Sequence, residues 1–242
     1  MTTPPRPTAV QPSPIVLHQW EASPFCRKVA HMLKFKGLPY EVVNYNGLRG
    51  IMALRLSQVG KLPVLDVKGQ RIQDSTRIAR FLDEHYPGTP ALYPADPRSR
   101  AQVELWEDWA DEVLYWFEGY FRLNDPQALA QFITLMCAGR PKWEQAPLKL
   151  LLKVAGGMSI KAQGLGRMSA ENVKAELLRH LDRIDTTLAD TGWLVGPTQT
   201  VADMAVGAQL LEVVRTSPLR DEILRRPHMA RWIAALRPQH SL

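Results

Sequence analysis

A serine at the start of a predicted helix is the first candidate for chemistry in this chain of 242 residues. Ser23 precedes Pro24 in the run WEASPFCRKV at residues 20–29, and serine followed by proline favours the start of a helix. The free N–H groups and the dipole of a helix N-terminus stabilise an anion, and the serine hydroxyl can add a hydrogen bond. The alternative is that Ser23 serves only as the N-cap.

Cys26 follows Ser23 by three residues, so Ser-Pro-Phe-Cys is similar to a redox Cys-x-x-Cys turn whose first cysteine is serine. A two-cysteine disulfide cycle is therefore excluded at this turn. The fourth position of such a turn usually lies inside the first helical turn and is less exposed than the first. We expect Cys26 to be a buried structural thiol, with thiol transfer through Cys26 as the alternative hypothesis.

Two further pairs of capping residues mark helix starts. Asp74 and Ser75 begin a helix predicted to extend to about Tyr86, where they could bind a ligand or act only as caps. Thr200 and Asp203 form a T-x-x-D capping box with Asp in place of the usual Glu or Gln. For this second pair the structural interpretation is favoured: it begins a buried helix.

The elements that carry these residues fall into two regions. Residues 15–87 switch repeatedly between strand and helix periodicity, which is typical of a mixed α/β unit. The predicted strands are 15–18, 40–45 and two within 62–72 around a Lys68-Gly69 turn, and the predicted helices are 23–37, 49–57 and 74–86. The order β-α-β-α-β-β-α is the thioredoxin-like order.

A proline-rich linker at residues 88–97 separates this α/β domain from an all-α domain at 98–242. The predicted helices of the second domain are 98–124, 169–190 and 200–215, followed by short ones at 218–236, while 138–168 is the least legible stretch. Residues 1–14 contain five prolines and are predicted to form a disordered N-terminal arm.

Composition excludes several classes of protein. A chain with 45% hydrophobic and 22% charged residues is globular, and Cys26 and Cys137 alone provide no disulfide framework. No segment resembles a secretion signal or an uninterrupted membrane span, so we expect a cytoplasmic protein. The six histidines show no ligand spacing, and no metal site is predicted.

The net charge of +6 is distributed in blocks of alternating sign. Residues 15–87 contain eleven Lys/Arg against six Asp/Glu, residues 98–139 contain three against seven, and residues 140–168 contain six against one. This alternation favours a pocket for small anions, or charge-complementary packing, over a continuous stripe that follows nucleic-acid phosphates. No nucleic-acid partner is therefore predicted.

Four segments carry a resemblance to the soluble glutathione transferases. The turn WEASPFCRKV resembles the serine-type turn of the tau and theta classes, and GKLPVL at 60–65 resembles the cis-proline segment of the family. QDSTRIARFLDEHYP at 73–87 resembles the glutamyl-recognition turn, and GPTQTVADMAVG at 196–207 resembles the capping-box segment. KAQGLGRMSAENV at 161–173 is similar instead to the failed-axon-connections and metaxin-like branch of the superfamily.

The resemblance implies a role for individual residues. Ser23 is the implied catalytic residue, which stabilises the glutathione thiolate. The implied glutathione-binding residues are Phe25, Arg49, Lys61, Leu62, Pro63, Asp74 and Ser75. In that assignment the Leu62-Pro63 bond is cis and the Leu62 backbone binds the cysteinyl unit, Asp74 and Ser75 bind the γ-glutamyl unit, and Arg49 and Lys61 bind the glycine carboxylate. An ordinary trans proline and two surface cations are the alternatives.

The electrophile pocket is expected between the domains, near Trp20, Glu21 and Phe25. The candidate aromatic residues on its far side are Tyr115, Trp116 and Tyr120, which could equally belong to the core.

The function implied by the resemblance is that of a glutathione transferase acting on a small apolar electrophile or an organic hydroperoxide. Glutathione is then a co-substrate, no cofactor is needed, and the expected assembly is a homodimer. The alternative, which the segment at 161–173 permits, is a glutathione-binding or interaction protein of the same fold with little or no turnover.

Overall fold

The computed structural model of the chain describes residues 14–240. Four strands of this part form one sheet in the order β2-β1-β3-β4. The strands are β1 (Ile15–Gln19), β2 (Tyr40–Asn44), β3 (Val64–Val67) and β4 (Gln70–Gln73). β1 pairs with β2 in parallel and with β3 antiparallel, and β3 and β4 form a hairpin. The predicted arm at 1–14 lies outside the described residues, apart from Pro14.

The helices of the first domain follow the predicted order. They are α1 (Pro24–Phe35), a 3-10 turn (Gly47–Met52), α2 (Ala53–Leu56) and α3 (Ser75–His85). Ser23 caps α1, and Gly37 ends it with a φ of +66° that favours glycine. The helix predicted at 49–57 is a 3-10 turn followed by a single α-helical turn. The thioredoxin-like order is confirmed.

The second domain is entirely helical within the described residues. Its helices are α4 (Pro97–Trp109), α5 (Tyr115–Asn124), α6 (Pro126–Met136), α7 (Gln145–Leu151), α8 (Gly157–Gln163), α9 (Ala170–Thr191), α10 (Val201–Thr216), α11 (Arg220–Leu224) and α12 (Pro227–His240). A π-helical turn at Ala110–Leu114 joins α4 to α5, so the long helix predicted at 98–124 is continuous. A second π-helical turn, at Leu152–Gly156, joins α7 to α8. It lies within residues 138–168, where the sequence shows no clear periodicity. No helix in residues 14–240 is both long and apolar enough to cross a membrane.

The capping box at Thr200 and Asp203 begins α10, whose residues are almost all buried. Asp203 Oδ2 accepts a hydrogen bond of 2.9 Å from Thr200 N, and its Oδ1 accepts bonds of 3.0 Å from Leu194 N and from Trp232 Nε1. One buried carboxylate therefore ties α10 to the preceding loop and to α12. The predicted structural role is confirmed.

The main apolar core extends through both domains. It contains Leu17 and Leu65 of the sheet, Val29 and Leu33 of α1, and residues of α10 such as Val206. α1 packs directly on α10, so the helix that begins at Ser23 lies between the sheet and the second domain.

The segment predicted as a linker is packed against the rest of the protein. Leu92 and Tyr93 are buried, and both donate backbone N–H bonds to the carboxylate of Asp83 at the end of α3. Val201 N also donates to Leu92 O at 3.0 Å. The connection between the domains is therefore hydrogen-bonded both to α3 and to the first residue of α10.

Candidate functional site

Ser23 occupies the start of α1 in an extended backbone conformation and is half-buried. Its Oγ accepts a hydrogen bond of 3.5 Å from Cys26 N. An oxygen that acts as an acceptor for the helix keeps its own proton, which can be donated to an anion placed before the helix. Capping and anion stabilisation are therefore compatible roles for this hydroxyl.

Cys26 lies one helical turn deeper and is fully buried. Burial raises the pKa of its thiol to about 12, although hydrogen bonds with Ser23 and Trp20 and the charge of Arg27 act in the opposite direction. At neutral pH the thiol is protonated, and it lies out of reach of solvent. This geometry favours the structural role expected for Cys26 over thiol transfer.

The Asp74-Ser75 turn begins α3. Asp74 is exposed, has a φ of +77°, and accepts hydrogen bonds from Thr76 N at 3.1 Å and from Arg77 N at 3.0 Å. Ser75 is buried, and its Oγ accepts a bond of 3.4 Å from Lys28 Nζ. The two predicted residues therefore have different surroundings. Asp74 caps α3, while the Ser75 hydroxyl lies beside a buried ammonium group.

Lys28 is the residue at this site that the sequence analysis missed. Its side chain is almost completely buried, with Nζ 2.8 Å from Glu107 Oε1 and 2.7 Å from Asp111 Oδ2 of the second domain. Burial acts to lower the pKa of Lys28, but the charges of Asp111 and Glu107 outweigh burial and raise it. Lys28 therefore remains an ammonium group at neutral pH.

Further hydrogen bonds complete this network. Thr76 Oγ1 donates to Glu107 Oε1 at 3.0 Å, and Tyr93 OH donates to Glu107 Oε2 at 2.8 Å. The i, i+4 spacing of Glu107 and Asp111 places both carboxylates on one face of a helix, but no local pattern pairs that face with Lys28 of α1. The charge-complementary packing considered for the two domains is observed here within one chain.

The Leu62-Pro63 peptide bond is cis, as the resemblance implied. Pro63 is buried and Leu62 is half-buried, and the register of both neighbouring ladders begins only at Val64. The backbone of Leu62 therefore lies just outside the sheet. Lys61 beside it and Arg49 in the 3-10 turn are both exposed, so each cation is open to solvent.

The turn before α1 meets the second domain through aromatic rings. The ring centroids of Phe25 and Tyr115 are 5.1 Å apart, and Trp20 packs on a second apolar cluster that contains Phe132. Tyr120, by contrast, is buried in the main core. Of the candidate aromatic residues, Tyr115 is the one that the structure brings against Phe25.

A buried charged cluster lies behind the same turn. Glu118 contacts Arg122 on its own helix, and Glu212 of α10 lies 3.5 Å from Arg27 and 3.6 Å from Arg122. Arg215 bridges this cluster to the turn, with 2.8 Å to Glu212 and 3.5 Å to Glu21. Burial raises the pKa of Glu118 to about 7, opposed by Arg122 and supported by Glu212.

Two observations concern sites of other kinds. No group of three or more His, Cys, Asp or Glu residues in the described part of the chain could hold a metal ion. A cavity of about 440 Å³ lies between α4 and α9, with Trp106, Trp109, His180 and Arg183 in its lining. None of the predicted site residues lines that cavity.

Sequence relatives match part of this chain. Glutathione S-transferase U8 and glutathione S-transferase U10 of Arabidopsis thaliana are 34% identical over 93 residues and 28% identical over 123 residues, which cover 37% and 50% of this chain. The matches cover 42% and 53% of those proteins, so the chain spans about half the length of the curated relatives it matches.

Solved structures of similar shape cover almost the whole chain. β-etherase LigF from Sphingobium sp. strain SYK-6 has a TM-score of 0.69 at 19% identity, covering 93% of this chain and 95% of that one. A glutathione S-transferase from Methylobacterium radiotolerans in complex with glutathione sulfonate has a TM-score of 0.61 at 24% identity, covering 94% and 93%. At these identities the likeness establishes the fold.

Two family domains match the chain in the order that the fold requires. The glutathione S-transferase N-terminal domain matches residues 17–90, which contain Ser23, the cis Leu62-Pro63 bond and the Asp74-Ser75 turn. The glutathione S-transferase C-terminal domain matches residues 167–235, which contain α9, α10 and the capping box. Together they cover more than half of the sequence, and the chain belongs to the glutathione S-transferase family.

Proposed function

We propose that the protein is a glutathione transferase that activates the thiol of glutathione for attack on a small apolar electrophile or for reduction of an organic hydroperoxide. The observation that carries this proposal is the position of Ser23, half-buried at the N-terminus of α1 with its Oγ accepting from Cys26 N. Family membership supplies glutathione as the ligand. The activity would serve detoxification.

Ser23 acts on the proton equilibrium of the bound thiol. A free thiol has a pKa of about 8.5, so only a few per cent is thiolate at neutral pH. The Ser23 hydroxyl donates a hydrogen bond to the sulfur, and the positive end of the α1 dipole favours the same negative charge. Both interactions lower the pKa of the thiol and raise the fraction that can attack.

The remaining predicted residues hold the tripeptide along the first domain. The γ-glutamyl carboxylate is bound by the hydroxyl and N–H of Ser75, and its ammonium by Asp74. The backbone of Leu62, which precedes the cis Pro63, forms hydrogen bonds with the backbone of the cysteinyl unit, as in the addition of a short strand. Arg49 and Lys61 bind the glycine carboxylate, and the ring of Phe25 lies beside the sulfur.

The serine-type turn is part of this proposal, and so are a homodimeric assembly and a cytoplasmic location. No cofactor is required, because glutathione itself is the co-substrate. The electrophile binds between the turn and the second domain, where Phe25 and Tyr115 present adjacent rings.

A second candidate is a glutathione-binding or interaction protein with little turnover. The cap bond from Cys26 N to Ser23 Oγ is equally compatible with it, because that bond gives Ser23 a structural role without any chemistry. The similarity of residues 161–173 to the failed-axon-connections and metaxin-like branch points the same way.

Calorimetric titration with glutathione, followed by a rate assay with a panel of small electrophiles and hydroperoxides, tests the proposal. A transferase binds glutathione at millimolar concentration or below and consumes it in the presence of at least one electrophile. S-methylglutathione is the matched control ligand, because it keeps every backbone contact and lacks a thiol. Binding without turnover would favour the second candidate, and an absence of binding would refute both.

A further inference from the structure

A stripe of exposed apolar side chains follows the segment between α6 and α9. Of the thirteen large apolar side chains that are exposed in residues 14–238, five fall within residues 143–158. These five define the apolar stripe: Trp143, Leu150, Leu151, Val154 and Met158, each more than half exposed. Leu150, Val154 and Met158 recur every four residues along the continuous run from α7 through the π-helical turn to α8, and exposed apolar residues grouped in this way mark an interaction site.

The apolar stripe faces away from the protein because the opposite side of the segment is already packed. Leu148 and Ile160 are buried, and Gly156 lies against the side chain of Leu123, where a Cβ would come within 2.6 Å of Leu123 Cδ1. The segment therefore has one inner face that attaches it to α5 and α6. It has one outer face, which contacts nothing among the described residues that would cover the stripe.

The same segment is strongly basic. Five exposed cations lie along it or directly after it: Lys142, Lys149, Lys153, Lys161 and Arg167. The one acidic residue in 140–168 is Glu144, which is buried, paired with Arg140, and bonded by Leu48 N at 2.8 Å. The exposed charge of this segment is therefore wholly positive.

The neighbouring elements do not compensate this charge. The 3-10 turn Gly47–Met52, α5 and α6 pack against the segment. Among their described residues the exposed charged side chain is Arg49, while Glu118 and Arg122 of α5 are buried in contact with each other. The surface around the apolar stripe therefore attracts anions.

We propose that the apolar stripe and its flanking lysines dock on an anionic lipid surface. A helical segment with exposed Trp, Leu, Val and Met on one face and lysines at its edge lies in the interface plane of a bilayer, with its apolar face among the acyl chains. The lysines pair with the anionic head groups. Residues 91–166, which contain this surface, lie outside both family matches.

The charge of the segment favours a lipid surface over a second copy of the chain as the binding partner. A symmetric contact through the stripe would bring two wholly positive surfaces together, and like charges that face each other disfavour association. A lipid surface with negative head groups satisfies both the apolar and the cationic part of the segment. The docking does not depend on transferase activity, and it would bring the protein to apolar electrophiles dissolved in the membrane.

The test is flotation of the full chain with vesicles of phosphatidylcholine alone and of phosphatidylcholine mixed with phosphatidylglycerol. We expect the wild type to float with the mixed vesicles and not with the neutral ones, and added salt to weaken binding. Lys149→Glu/Lys153→Glu should lower the partition coefficient by more than about tenfold. Val154→Ser/Met158→Ser should lower it as well, because it removes the apolar contribution.

The matched control is Arg98→Glu/Arg220→Glu, which changes the net charge equally at two exposed positions outside the segment. It should bind the mixed vesicles within about threefold of the wild type, since remote charges are screened beyond about 10 Å. All of these positions are exposed, and a melting curve verifies that each variant is folded. An equal loss in this control, or wild type that does not float with the mixed vesicles, would overturn the proposal. Light scattering that shows a wild-type dimer and a Val154→Ser/Met158→Ser monomer would assign the stripe to a second copy and overturn it too.

Discussion

Lys28 of the first domain and Asp111 of the second form an ion pair, with 2.7 Å between Lys28 Nζ and Asp111 Oδ2. Lys28 Nζ is also 3.4 Å from Ser75 Oγ and donates to it. A hydroxyl oxygen that accepts from an ammonium group directs its own proton to a different acceptor, such as a carboxylate. The contact between the domains therefore orients the hydroxyl proposed to bind the γ-glutamyl group.

Lys28→Met should destabilise the protein by about 3–5 kcal/mol, because Glu107 and Asp111 would remain buried without their cation. Urea unfolding of the variant and the wild type measures this difference. The control is Lys28→Met/Glu107→Gln/Asp111→Asn, which removes the uncompensated charge and should regain part of the lost stability. A loss below about 1 kcal/mol in the single variant would contradict the assignment of a buried network.

Ser75→Ala should weaken glutathione binding by roughly tenfold or more, about 1.5–3 kcal/mol for a hydrogen bond to a charged group. Calorimetric titration measures the affinity. A melting curve must accompany it, because the first residues of a helix also contribute to stability. Equal affinity in a folded Ser75→Ala variant would place the glutamyl site elsewhere.

Ser23→Ala should lower the conjugation rate by about 10–1,000-fold, with a smaller effect on glutathione binding. Ser169→Ala is the matched control, because Ser169 caps α9 in the same way, with Oγ accepting from Asn172 N at 3.3 Å. Removing the Ser169 cap changes the stability of the protein without changing the proposed glutathione site. Should Ser23→Ala retain the wild-type rate while Cys26→Ala loses it, the catalytic role would move to Cys26.

Glu118 should make stability fall as pH rises through the range from about 4.5 to about 7. Burial raises the pKa of Glu118 in the folded state to about 7 from 4.5, so the folded state holds a proton that the unfolded state has released. The facing groups are Arg122 on its own helix, Glu212 and Arg215 on α10, and Arg27 on α1. Glu118→Gln has no proton to release, so its urea midpoint should decline less between pH 5 and pH 8. Parallel pH profiles of the two proteins would exclude this effect.

A homodimer should form between the basic first domain of one subunit and the acidic helix at 98–124 of the other. Residues 15–87 carry eleven basic against six acidic side chains, of which Arg27, Lys28 and Lys36 are buried, and Asp108 and Glu112 are exposed on the helix at 98–124. Surface patches of opposite charge favour such a contact and fix its orientation. Light scattering at micromolar concentration should give twice 27.3 kDa for the wild type and a lower mass for Asp108→Lys/Glu112→Lys. A monomer of the wild type at moderate salt would reject the dimer.

The order of elements in the first domain could be predicted from sequence because its signals are local. Ser23 before Pro24, Gly37 after α1 and Asp74 before α3 each mark a helix end within a few residues. The remaining errors are small: the strand predicted to end at Tyr45 ends at Asn44, and the helix predicted to reach Tyr86 ends at His85.

The buried charges could not be predicted in the same way. Lys28 and Asp111 are 83 residues apart, and a lysine at a helical position is normally assigned to the surface. Its burial depends on two carboxylates that a separate helix brings into position. Similarly, the π-helical turn at Leu152–Gly156 depends on packing against α5, and residues 138–168 show no clear local pattern.

The continuous core has a consequence for the folding of the two domains. A first domain produced alone would expose the face of α1 that packs on α10 and would leave the Lys28 ammonium without its two carboxylates. The chain should therefore unfold as one cooperative unit, although its sequence divides into two modules. Chimeras that join either module to that of a relative would need residues 28, 107 and 111 transferred as a set, because each half alone carries an unmatched buried charge.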